Sequence, residues 1–153
     1  MLRPKSIVWF ERLYLGSWFV SLVALAVNWS TMKEAIEDNP AAKKLGIDAM
    51  MNMVVAGIAI SALITVVLWY FTARQHSVVA KWFVVVFFVL GLFGIPGLFA
   101  MFTSGQVASA LLQTVVFVLH AAAIVMLFQR DARIWFGEIS DGPSNDVPPA
   151  PLV

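Results

Sequence analysis

The stretch that decides the fold is VASALLQTVVFVLHAAAIVMLF, residues 107–128. It holds no charged side chain and is long enough, as a helix, to cross the hydrocarbon core of a bilayer. Its twelve Leu, Ile, Val and Phe residues favour insertion by about 4 to 7 kcal/mol, at about 0.3 to 0.6 each. That margin accommodates one glutamine and one neutral histidine. Gln106, Gln113 and His120 are spaced by seven, so all three fall on one helical face. Lipid has no hydrogen-bond partner for an amide or an imidazole, and the face is expected to look into protein. Gln113 and His120 are about 10 Å apart along the axis and cannot satisfy each other.

The complement lies in the first apolar segment, where Tyr14, Ser21 and Asn28 also repeat every seven and Ser17 and Ala24 share their face. Two polar stripes facing each other across one bundle is the simplest arrangement, with His120 at the depth of Ser17, Ser21, Ser61 or Thr65. One reading makes these interhelical hydrogen bonds worth about 0.6 to 2 kcal/mol each. The other makes His120 an intramembrane functional group, a proton relay or a polar ligand pocket.

Composition extends the membrane reading to the whole chain. Of 153 residues, 61% are hydrophobic and 12% charged, with a mean hydropathy of +0.87; soluble domains carry about 25% charge. The expected architecture is all-α, an up-down-up-down bundle of four transmembrane helices at about 7–29, 50–71, 81–102 and 107–128. An interfacial turn at 130–136 and a disordered cytoplasmic tail at 137–153 follow. Ser30 or Thr31 is expected to cap a short external helix, Asn39-Pro40 to turn the chain, and Asp48 to cap the second span. Gly57 and Ser61 form a small-xxx-small pair, and Gly91, Gly94 and Gly97 add a second close-approach surface for helix packing. Pro96 removes the amide that the Leu92 carbonyl needs, so a kink is expected there. A signal peptide is the competing reading of the first segment, with Ala24-Leu25-Ala26 as the cleavage site. The bulky Trp18 and Phe19 and the Glu11-Arg12 pair argue against it. Pro148 to Pro151 fits a PxxP ligand pattern, a cheap match.

Counting basic residues sets the expected orientation. With the N-terminus, the second loop and the C-terminus on one side, Arg3, Lys5, Arg12, Arg74, Lys81, Arg130 and Arg133 gather there, seven of ten, leaving Lys33, Lys43 and Lys44 opposite. The positive-inside rule then places both termini in the cytoplasm. The net charge of +1 gives no footprint for nucleic acid.

Catalytic patterns are missing from the sequence. Cysteine is absent, which excludes disulfides and thiolate chemistry. There are no paired intramembrane carboxylates and no phosphate-cradling glycine loop. A haem needs two facing ligands where the spans hold one histidine, and Met50, Met51 and Met53 read as apolar filler before they read as a copper site. Neither a cofactor nor a metal is expected, and the chain is expected not to be an enzyme.

Arg3-Pro4-Lys5, Phe10-Glu11-Arg12-Leu13-Tyr14-Leu15, Leu127-Phe128 and Ala132-Arg133-x-Trp135-Phe136 resemble the boundaries of small four-helix inner-membrane proteins predicted from bacterial genomes. The resemblance covers about residues 3–136 and implies a multi-pass address in the bacterial inner membrane. It implies no catalytic residue. The leading expectation is a structural or accessory protein that packs in the bilayer with other membrane proteins or with copies of itself. The alternative is a small transporter or proton-coupled carrier working through His120 and Gln113.

Overall fold

A helix leaves its first amides without partners, and the first helix here finds one at the far end of the chain. In the computed structural model, which describes residues 3–140, α1 (Lys5–Val27) begins after Pro4, and the Ser6 amide donates to Asp131 Oδ2 at 3.1 Å. α1 ends where Asn28 Nδ2 folds back onto the Ala24 carbonyl at 2.7 Å. α2 (Trp29–Glu37) starts at the next residue, so Asn28 and neither Ser30 nor Thr31 occupies the cap. α3 (Pro40–Leu45) is capped by Asn39, whose Oδ1 accepts from the Ala41 amide at 2.9 Å.

Gly46, at φ 89°, both closes α3 and opens α4 (Ile47–Ala73). Asp48 therefore lies inside the first turn of α4 and not at its cap, still where a carboxylate favours the positive end of the helix dipole. α5 (Val78–Leu92) is capped by Ser77, with Oγ accepting from the Ala80 amide at 3.2 Å. α5 stops at Leu92 because Pro96 offers its carbonyl no hydrogen. The Phe93 and Gly94 amides tighten onto the Leu90 and Gly91 carbonyls, and α6 (Ile95–Thr103) resumes with proline in its first turn. The two pieces bend by 40°. α7 (Val107–Leu127) and α8 (Arg130–Trp135) complete the described chain.

Among the described residues every regular element is helical. α1, α4 and α7 are each long and apolar enough to cross a membrane, and α5 with α6 makes a fourth if the bent pair is one span. The chain is a multi-pass membrane protein. α1 and α7 run antiparallel and form the most extensive helix contact.

Packing is concentrated at one end. Ile7, Phe10 and Tyr14 of α1 meet Ala73, Val84, Ala123, Leu127, Ala132 and Phe136 in a single apolar cluster. Toward the other end α4 and α6 are exposed along most of their length, and Phe93 at the bend is 80% exposed. The glycines expected to pack helices make no close approach within the chain. A Cβ at Gly57, Gly91 or Gly97 would meet nothing within 4 Å, and at Gly94 only the Gly91 carbonyl of the same bend.

Basic and acidic residues brace the packed end. Glu11 pairs with Arg3 at 2.8 Å and lies 3.9 Å from Arg74. Lys81 is 1% exposed; its Nζ donates to both Glu138 oxygens at 2.8 and 3.0 Å and sits 4.3 Å above the Phe128 ring. Glu138 was expected in a disordered tail, yet it is docked on a buried cation. Residues 141–153 of that expected tail, including the PxxP stretch, lie outside the described residues.

Two outcomes follow. Glu138→Ala leaves Lys81 buried without its counter-charge and should cost about 1 to 3 kcal/mol in unfolding measurements. That is below the 3 to 5 of a fully buried pair, because Glu138 is 25% exposed. Lys81→Met, which removes the charge and keeps the volume, should restore most of the loss. Partial burial pushes the Asp131 carboxyl up, but the amides of Ser6 and Ala132 donating to it prevail and hold it below its usual value of 3.8. A depressed carboxylate stabilises above its unfolded value and stops doing so as pH falls through the folded one. The stability difference between wild type and Asp131→Asn should therefore be full at neutral pH and vanish below the carboxylate range.

Candidate functional site

Serine inside a helix tends to return its hydroxyl to the preceding turn, and Ser17 does so. Its Oγ donates to the Tyr14 carbonyl at 2.8 Å and lies 3.2 Å from His120 Nδ1 on α7. Ser17 is fully buried. The His120 ring is held on other sides by aromatic residues. Tyr14 meets it edge-on with centroids 5.0 Å apart, and Phe88 of α5 lies nearly parallel at 6.2 Å, itself packed on Phe117 at 5.0 Å. The imidazole of α7 is thus held by α1 and α5.

A second polar rung links the same two helices, with Ser109 Oγ donating to Asn28 Oδ1. Residues 17 and 28 differ by eleven, as do 109 and 120, and eleven residues make about three helical turns. Both rungs therefore lie on one seam, at depths about 16 Å apart.

The bundle does not close on the α4 side. One opening of about 500 Å³ lies between α4, α5 and α7, and another of about 540 Å³ between α4, α1 and α7. Gly57, Ser61, Thr65, Val116 and His120 border both. The first opening also reaches Tyr14, Gln113, Phe87, Phe88 and Gly91; the second reaches Ser17 and Ser21. Small side chains on α4 and α5 that read as a helix-packing surface are the walls of a cleft. Neither opening is lined by Asp, Glu, Lys or Arg.

Most of the polar stripe read from the sequence converges here, but not as two facing ladders. Tyr14, Ser17, Ser21, Gln113 and His120 surround the cleft, and only Ser17 and His120 pair directly. Ser21 Oγ donates to the Ser17 carbonyl of its own helix at 2.9 Å. Gln106 stands apart, exposed at the N-cap of α7, where the helix has not yet begun and its side chain is outside the seam. Gly94 and Gly97 belong to the bend and to α6 and border neither opening. Sequence reading missed Phe88 and Phe117 as the aromatic wall, since an apolar run gives no sign of which phenylalanines face inward. It also missed Ser109, whose signal was the eleven-residue spacing from His120. Among the described residues no group of three His, Cys, Asp or Glu side chains could hold a metal ion.

If Ser17 and His120 share one hydrogen bond, Ser17→Ala and His120→Phe should each destabilise by about 0.6 to 2 kcal/mol. The double variant should cost clearly less than their sum when unfolding is measured in micelles. Full additivity would show that the two side chains do not interact.

Compared with known proteins, the chain matches no family model, no curated protein and no solved structure.

Proposed function

We propose that this is a non-catalytic membrane protein that crosses the bilayer four times and holds a lipophilic small molecule in the cleft beside His120. The cleft carries this reading. Its volume of about 500 Å³ lies in the range of small-molecule sites, about 300 to 1,000 Å³, and its walls are largely apolar and aromatic with a few convergent polar groups. An intramembrane histidine at such an opening marks a site more readily than a histidine sealed in a seam. A carrier would use the same cleft to pass its ligand between the two sides. The basic residues, seven against three, support both ends on the cytoplasmic face. The boundary motifs support a bacterial inner membrane.

One observation favours a second reading, an accessory role in which a partner's transmembrane helix seats in the opening. Gly57 and Gly91 border the same opening from two helices, and bare backbone is what close helix association uses.

Isolation from native membranes in mild detergent, followed by intact-complex mass spectrometry, separates the two. A Gly57→Leu side chain grows into open space, so the fold should survive while the cleft fills. The expected result is a small apolar molecule that travels with the wild type and is lost from Gly57→Leu. Loss of a protein partner instead would favour the accessory reading. Identical masses on both forms would remove the cleft as the site.

A further inference from the structure

The neighbours of a neutral imidazole decide which of its nitrogens carries the hydrogen. Ser17 has a single hydroxyl hydrogen, and it is given to the Tyr14 carbonyl at 2.8 Å. Toward the ring, Oγ therefore presents only lone pairs. With that hydrogen on the Tyr14 carbonyl, the tautomer that fits the 3.2 Å contact has His120 Nδ1 as the donor and a lone pair on Nε2. No described residue donates to Nε2, while the ring borders both openings. The ring that carries this lone pair is part of the cleft wall.

Resting on the reading of the cleft as a small-molecule site, we infer that its occupant is a lipid alcohol. The hydroxyl donates to His120 Nε2, and the hydrocarbon lies along the apolar wall formed by Ile60, Ile64 and Phe87. An ether, ketone or ester of the same skeleton has no hydrogen for Nε2 and would set lone pair against lone pair there, its oxygen being left to the hydroxyls of Ser61 and Thr65 or the amide of Gln113. A group so unpaired costs enough to weaken binding by about tenfold or more. Charged head groups fare worse, because no charged side chain lines either opening to offset their desolvation.

The test uses the full chain with His76→Asn, so that His120 is the sole histidine, in phosphatidylcholine nanodiscs that bring no hydroxyl donor. His76 lies in the α4–α5 turn at φ 55°, a conformation asparagine accepts, and it borders neither opening. Should that variant not fold, the wild type with His120→Gln as the subtraction control gives the same spectrum. Nitrogen NMR of the labelled imidazole is expected to show hydrogen on Nδ1 and none on Nε2. Farnesol should move the Nε2 resonance and bind at least about tenfold more tightly than farnesyl methyl ether or farnesyl acetate. A hydrogen on Nε2, or ether and acetate binding as well as the alcohol, would overturn the alcohol inference and leave the cleft as a binding site. Failure of all three probes to bind would overturn both.

Discussion

A hydroxyl has one hydrogen to give, and inside a bilayer no water can make good what it leaves undone. Ser17 gives that hydrogen to its own helix. With that hydrogen committed, the 3.2 Å contact between Ser17 Oγ and His120 Nδ1 joins α1 to α7 at that depth, and Tyr14 and Phe88 hold the ring beside it. Asn28 is organised in the same way, its Nδ2 returned to Ala24 and its Oδ1 left to accept from Ser109. In both rungs a side chain first satisfies its own backbone and then offers its remaining capacity to α7. The α1–α7 seam is held by what the helices have left over.

The contrast between the two ends of the bundle has a related cause. Apolar side chains gain little by leaving lipid for one another, so helices stay together only where backbones approach closely or polar groups bind. At the packed end Ala73, Ala80, Ala123 and Ala132 are buried and let the helices come near, with Phe10 and Phe136 filling the space between. Asp131 caps α1, and Glu138 draws the chain beyond α8 onto Lys81 of α5. The far halves of α4 and α6 have no comparable attachment. The chain bends by 40° at Phe93 and Gly94, and most side chains there are exposed. The cleft at His120 lies between the region that is tied together and the region that is not.

How much of this was legible in the sequence depended on the range of the interaction involved. The four apolar runs, the break before Pro96 and the turn at Asn39-Pro40 come from residues within a few positions of one another, and each is recoverable from spacing. The depth of His120 was readable only to a level shared by Ser17, Ser21, Ser61 and Thr65, because helices of fixed rise crossing the same slab bring equal distances from the boundary to one level. The link between Lys81 and Glu138 was not. It joins residues 57 positions apart, and neither has a pattern around it that names the other. Asp48 and Gly46 show the limit at short range, since a positive φ at one glycine moved the helix start and turned an expected cap into a first-turn residue.

By itself, then, the sequence determined that the chain is helical, that it belongs in a membrane, and that a small set of polar side chains must avoid lipid. These are consequences of hydropathy and helical period, which are properties of single segments. Only the tertiary structure decided that α1 pairs chiefly with α7, that the glycines of α4 and α5 stand beside empty space, and that His120 is bound on one nitrogen and free on the other. Those facts depend on how segments lie against each other, and a stripe of small residues reads the same whether a helix or a cavity is next to it.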